Sequence, residues 1–585
     1  MLLFAEHILI VESSPEFAGK WRVVTPIVVK DYKQLKEKQL TDRVKMKYGF
    51  GNKDAVMGTV RMIYIICLSG IAFSLPLSEF LTSVFTIFLL VNHVIMAVAR
   101  PGVIVRRFQN PMLILLGGYL VYILWVLNSS DTVSALHSLR LRLPLVVIPF
   151  VVFTAPAITI KELRVMLFSF IVGVTISSFA GVFLFYRNDA LLLNTRELSP
   201  FISHIRMSLM ICLVLVVLTD ALAERIITHP AIKAGVFVLS GWLVTYMVFM
   251  SSLTGLALLM ILMVSAIIIY VIRSGKLFLR IGALAVTILI VTLPAVYVSG
   301  IVLDYLTMKE QALPDYSART PSGRDYTHHT GLYGRENGYY TWNYICEEEL
   351  AEGWNRVSTI PYNGYDSLGH ELRFTLIRYL TSMGLRKDSA GVESLSQEDI
   401  RLIEQGYANR NYLDGSGLHD RIYEIVWQID HYVSGGNPQG HSVTQRLCFF
   451  RNGWRVFIRS PLFGTGTGDY NNEVARQYEA DQTILDPEFR RLPHNQYLTS
   501  LGTFGLMGAT LFWLFMLLPA AVSGSFRKRL FFFFFLIIFL SMLTEDTLET
   551  HTGVTFFALF YSLFMSPYGK GDGTPFTRGK GIISG

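Results

Sequence analysis

The sequence predicts an all-α polytopic membrane protein of about twelve transmembrane helices, carrying one large, mostly helical extracytoplasmic loop domain. Composition is the first ground for this. Of 585 residues, 52% are hydrophobic and 16% charged, against about 25% charged in an ordinary soluble chain. The second is length: apolar runs of about 16–22 residues recur from 62 to 300 and from 494 to 566, each near what a helix needs to cross about 30 Å of hydrocarbon. The third is the stretch 302–492 between them, too polar for lipid and too long for a connector.

Taken in order, residues 1–60 form a cytoplasmic segment, 61–301 a membrane domain of nine helices, 302–492 the loop domain, 493–566 three further membrane helices and 567–585 a cytoplasmic tail. The opening "MLLFAEHILIV" has Glu6 and His7, no basic leader and no small-residue cleavage site, so a secretory signal peptide is not expected. The expected spans are 62–78, 80–98, 111–128, 143–159, 165–186, 207–222, 233–251, 253–272, 280–299, 494–520, 530–545 and 550–566, the first two joined by the tight "LPLSEF" turn.

Lysine and arginine set the orientation. Lys33, Lys36, Lys38, Arg43, Lys45, Lys47, Lys53 and Arg61 put the start inside. The basic connections "RPGVIVRRF", "KELR", "ERIITHPAIK", "RSGKLFLR" and "FRKR" then alternate with "LSEF", "SSL" and "TEDTLETHT", which are poor in Lys and Arg. The exception is "SALHSLRLR", whose Arg140 and Arg142 fall on the expected outer side. Net charge +7 follows from this pattern, without nucleic acid as a partner. The outer face therefore receives the connection 187–206, the long loop and the junction at His494.

The loop is rich in Tyr, Gly and Trp and holds amphipathic patches such as "SLSQEDIRLIEQGY". In "VTQRLCFFRNGWRVFIRS", Leu447, Arg451, Trp454 and Ile458 recur at helical spacing, so Arg446, Arg455 and Arg459 project around a helix suited to the membrane interface. Cys67 and Cys212 lie in apolar spans and are read as packing residues. Cys346 and Cys448 lie in the loop, where the compartment permits a disulfide that spacing alone does not establish.

The residues able to do chemistry gather on the outer side. His494 stands between Pro493 and Asn495, where Asn495 can cap the next helix. It is either a tolerated interfacial polar residue or a proton acceptor near neutral pH. Arg206 and Arg446 each either snorkel to the surface or clamp an anion with a planar, permanently charged guanidinium. Gly502, Gly505 and Gly508 let membrane helices approach closely. "SPLFGTGTGDYNN" lacks the dinucleotide-binding spacing and reads as a tight turn whose Gly464, Gly466 and Gly468 can aim amides at an anion. His328 and His329 have no companion ligands at metal spacing, no Asp-x-Asp motif is present, and no metal or cofactor is expected. An imidazole and arginines on one outer face suit a reaction with a lipid-linked phosphate as leaving group.

Two segments carry a resemblance. "HNQYLTSLGTFGLMG" has His494, Asn495, Gly505 and Gly508 at the fixed positions of a pattern found in O-antigen ligases. "QRLCFFRNGWRVFIRSPLFGTGTGDY" resembles the arginine–tryptophan–PLFGxGxG segment of the wider O-antigen ligase and polymerase superfamily. The resemblance covers about 60–566. It implies a metal-independent, inverting membrane glycosyltransferase in the bacterial inner membrane, its site on the periplasmic face. The implied donor is an undecaprenyl-pyrophosphate-linked glycan and the acceptor a sugar hydroxyl of lipid A–core. His494 would be the base, Arg446 the pyrophosphate ligand, and Arg206 the second arginine. Leu253 in "SSLTGLALL" stands where many members have arginine, which leaves the acceptor open. An O-antigen polymerase or a protein O-oligosaccharyltransferase would use the same chemistry. A lipid-glycan flippase would bury ionisable residues at mid-membrane, and these spans are almost free of them.

Overall fold

The computed structural model describes residues 53–99, 111–187, 198–273, 276–307, 314–329, 334–410 and 417–566. The expected cytoplasmic segment up to 52, all of "RPGVIVRRF", residues 188–197 of the connection 187–206 and the tail from 567 lie outside them. Among the described residues the elements are helical apart from an antiparallel strand pair, Arg335–Glu336 (β1) with Tyr339–Tyr340 (β2).

The first membrane half comprises α1 (Lys53–Ser74), α2 (Glu79–Ala99), α3 (Gly117–Trp125, continued by 3-10 turns), α4 (Thr132–Leu141), α5 (Pro144–Thr154), α6 (Ile160–Arg187), α7 (His204–Ala223), α8 (Pro230–Phe249), α9 (Leu253–Arg273) and α10 (Leu277–Leu306). The loop supplies α11 (Glu347–Val357), α12 (Leu372–Ser382), α13 (Ser389–Glu393), α14 (Gln397–Glu404), α15 (Gly417–Val433), α16 (Ser442–Arg459) and α17 (Tyr470–Ala480). Helices α18 (Gln496–Val522), α19 (Arg529–Ser541) and α20 (His551–Met565) close the bundle.

Among the described residues nine helices are long and apolar enough to cross a membrane. Three shorter apolar helices, Met112–Asn128, Arg529–Ser541 and His551–Met565, stand at the other three expected places. Local chemistry sets several boundaries. Pro144 and Pro230 sit in first turns, where a missing N–H costs nothing. At the far end of α20, Lys528 Nζ donates to the carbonyls of Phe564, Met565 and Ser566, which have no helical partner.

Charged contacts tie the helix ends together. At one end, Arg61 bonds Glu162 and the carbonyls of Pro156 and Ala157, and Arg529 pairs with Asp220 and Glu224. At the other, Arg142 pairs with Glu549 and lies 4.3 Å from the Tyr122 ring centroid, 3% exposed. This accounts for half of the exception in the charge pattern: the Arg142 charge is buried and neutralised on the spot, whereas Arg140 is exposed.

The loop has two parts. Residues from Ile345 to Ile403 build a separate core around Trp354, Leu376 and Leu380. Helices α15 to α17 instead lie against the membrane half. Tyr305 on α10 donates to Asp430, and α16 turns Phe449, Asn452, Gly453 and Val456 inward while Leu447, Trp454 and Ile458 stay exposed. Cys346 and Cys448 are both free; Cys448 packs against the core of Phe449, Val456 and Tyr470, while Cys346 is buried next to Ile345 of the separate loop core.

Helix α18 is broken. Gly505 has φ 65° and ψ −174°, a conformation only glycine adopts without strain. The segment 461–466 fills the break. Thr465 and Gly466 N–H groups donate to the carbonyls of Gly502 and Thr503 at 2.9 Å, while the amides of Leu506 and Met507 donate to Pro461 and Leu462 at 2.8 and 3.1 Å. A break in a membrane helix persists only where other backbone satisfies the freed groups, and these four bonds do so. Cβ atoms at Gly464 and Gly505 would collide with the opposing backbone, so close approach requires both glycines.

Candidate active site

The site assembles where four segments meet at the loop end of the bundle. Asn495 caps α18, its side chain accepting from Leu498 N–H at 2.8 Å and donating to the Leu543 carbonyl at 2.9 Å. Gln496 N–H donates to the Met542 carbonyl at 3.0 Å, and its side chain bonds Glu549 and Leu548 N–H. The connection 542–550 is thereby laced to the start of α18. His494 sits one residue before the cap with φ 50°, in the left-handed region that residues other than glycine rarely adopt. Asp546 accepts the Thr499 hydroxyl at 2.9 Å and lies within reach of the His494 backbone N–H. Pro493 lies against Gly453 on α16, where a Cβ would collide with it.

Helix α16 brings two neighbours to the imidazole. The Phe449 ring centroid lies 6.0 Å from that of His494. One turn earlier, Arg446 points at Glu545, with Nη2 3.8 Å from Oε1. Arg206 enters from the first turn of α7, whose start Ser203 caps. Arg206 and Arg446 both act electrostatically on His494 and on Glu545. The three residues singled out from the sequence therefore lie within electrostatic reach of one another, in one cluster.

Its electrostatics follow from burial and sign. Burial lowers the His494 pKa to about 4, with Arg446, Arg491 and Arg206 adding to the effect, so the ring is neutral at physiological pH. Burial raises Glu545 while the two arginines oppose the rise. Asp546 is pushed up to about 7 by burial and by Glu549 beside it. A neutral imidazole between guanidiniums can accept a proton from a hydroxyl while the guanidiniums hold an anion.

The glycine segment corrects an expectation. Amides at Gly464, Thr465, Gly466, Thr467 and Gly468 donate to Ser460, Gly502, Thr503, Trp125 and Ser129 in turn. Every amide of the supposed anion-binding turn is already used, and its role is to plug the break in α18. Gly502 and Gly508 lie tight against Tyr470 and Trp125. The sequence reading passed over Glu545, Asp546 and Glu549. The signal was there, as "EDTLE" between two apolar runs, but it was weighed only for its lack of Lys and Arg. Among the described residues no group of three or more His, Cys, Asp or Glu side chains is arranged to hold a metal.

Residues 414–513 match the family model described as O-antigen ligase. The match runs from the start of α15 into α18 and contains Arg446, the plug, His494, Gly505 and Gly508. It supports the O-antigen ligase family and, with the apolar helices, a multi-pass membrane glycosyltransferase of the ligase or polymerase type. No curated protein matches the chain.

Proposed function

We propose that this chain, similar to O-antigen ligases over residues 414–513, transfers a glycan from undecaprenyl pyrophosphate to a sugar hydroxyl of lipid A–core on the periplasmic face of the bacterial inner membrane. In the proposed reaction Arg446 and Arg206 bind the pyrophosphate. The acceptor hydroxyl attacks the anomeric carbon from the face opposite the leaving group, its proton passes to His494, and the carbon–oxygen bond to pyrophosphate breaks. The displacement inverts the anomeric centre, and the guanidiniums, not a metal ion, carry the departing charge. As the pyrophosphate neutralises the arginines, the His494 pKa climbs from its low starting value, which strengthens the base where it is needed.

The observation that supports this reading best is the shared field: Arg206 on α7 and Arg446 on α16 come from distant parts of the chain, and both act electrostatically on His494 ahead of α18. The test uses the purified chain with a lipid-linked glycan and lipid A–core. His494→Ala is expected to abolish transfer while membrane insertion and unfolding temperature stay at wild-type values. Normal capping of lipid A–core by that variant would remove His494 as the base. A gene deletion separates acceptors, since loss of capped lipid A–core, of long polymer or of glycoprotein identifies ligase, polymerase or protein transferase.

A further inference from the structure

We propose that Glu545 is an internal counter-anion, occupying the arginine pocket while no donor is bound and taking up a proton from water when a diphosphate displaces it. The proposal rests on the pyrophosphate reading of Arg206 and Arg446. Its geometric basis is that Glu545, 9% exposed, faces Arg446 at 3.8 Å and lies within the electrostatic reach of Arg206, the two cations assigned to the donor. The contact to Arg446 is a single long approach of 3.8 Å, and the Arg446 side chain remains 35% exposed. A bidentate pair would be far shorter and closed. This one leaves the guanidinium fork open to a better anion.

Charge counting makes the proton necessary. The groups acting on Glu545 are Arg206 from α7 and Arg446 from α16; the same arginines and Arg491 act on His494, and Glu545 and Glu549 act on Asp546 in the same connection. With His494 neutral and Glu549 paired to Arg142, the two guanidiniums that act on Glu545 face its one carboxylate, while Arg491 acts on His494 and Asp546, pushed up to about 7, carries at most part of a negative charge. A disubstituted diphosphate carries a negative charge on each phosphorus, enough to satisfy both guanidiniums. Glu545 would then be a buried carboxylate without a counter-charge and beside Asp546, the arrangement in which a carboxyl takes a proton. If the proton went to His494 instead, the base would be blocked before the acceptor arrived. A protonated Glu545 leaves the imidazole free.

The sign of the pH effect follows. Free Glu545 is the more acidic state and bound Glu545 the more basic, so binding consumes a proton and weakens as pH rises between the two pKa values. The test titrates the full chain in lipid nanodiscs with dimethyl diphosphate, whose acidic groups stay ionised throughout, by calorimetry in two buffers of different ionisation enthalpy. For the wild type we expect affinity to fall by up to about tenfold per pH unit, with proton uptake on binding. Glu545→Gln, which keeps size and shape, is expected to bind at least about tenfold tighter at pH 8, with the slope and the uptake lost. Glu545→Asp, as a second variant, should keep the uptake. A Gln variant that binds no tighter and still takes up a proton overturns the proposal and assigns that proton elsewhere. Loss of binding in Arg446→Gln keeps the pocket reading intact in that case. Failure of the wild type and the Gln variant alike to bind overturns both.

Discussion

Gly505→Ala tests whether the break in α18 is as tightly determined as its backbone bonds imply. At φ 65° and ψ −174° an L-residue pays about 1–3 kcal/mol in backbone strain alone. The added Cβ also meets the Leu462 carbonyl group and the Phe463 amide, so the plug must retreat. Retreat stretches the bonds from Leu506 to Pro461 and from Met507 to Leu462, each contributing about 0.5–1.5 kcal/mol. Together the loss is about 2–6 kcal/mol. Gly282→Ala in α10 is the control, because nothing lies within 4 Å of a Cβ there, and a helical Gly→Ala change is neutral or stabilising by about 1 kcal/mol. The assay is thermal unfolding of both variants in the same detergent, followed by tryptophan fluorescence. Trp125, which donates to the Phe463 carbonyl at 2.7 Å, reports directly on the plug. Gly505→Ala should unfold well below wild type, and the control at or above it. Equal unfolding temperatures for the two would refute the account of the break as a glycine-dependent, plugged helix.

The arginines and the pH profile give further checks. Arg446→Lys is expected to lose about 100-fold in transfer rate, because an ammonium does not reproduce the guanidinium fork; full activity would reduce Arg446 to a general positive charge. Arg142→Met leaves the half-buried Glu549 without its cation and should destabilise the chain by about 1–3 kcal/mol. Adding Glu549→Gln should recover most of that in chemical denaturation, and additive losses would count against the pair. The acid limb of kcat/KM, which reports the free enzyme, should fall near pH 4 and not near 6.5, following the lowered pKa of His494. Arg446→Gln removes a nearby cation and should move that limb upward; a downward or absent shift in residual activity would contradict the shared field.

Much of the site was legible because its chemistry is local in sequence. His494-Asn495 with Gly505 and Gly508, and Arg446 ahead of "PLFGTGTG", can be read without coordinates. Arg206 was visible only as an arginine at the outer start of an apolar run, with no local sign of its partner residues. Glu545 was missed for a related reason. A carboxylate in a short connection looks like a solvated loop residue until α7 and α16 place two guanidiniums against it. The glycines were read correctly as sites of close approach, but the turn at 464–468 was misread, because free amides and amides already bonded to a distant helix look alike in a sequence.

The sequence by itself determined what the solvent imposes. Runs of apolar residues must become helices in lipid, since each backbone group needs a partner within its own segment. The alternation of Lys and Arg then predicts which connections share a face. Tertiary structure decided the exceptions to those one-dimensional rules. Arg142 departs from the charge pattern as an arginine that Glu549 neutralises, α18 breaks because 461–466 supplies the missing bonds, and an imidazole comes into the field of two guanidiniums from elements distant in the chain. Long-range partners decide whether a charge or an unpaired amide is tolerable, and a linear pattern does not name them.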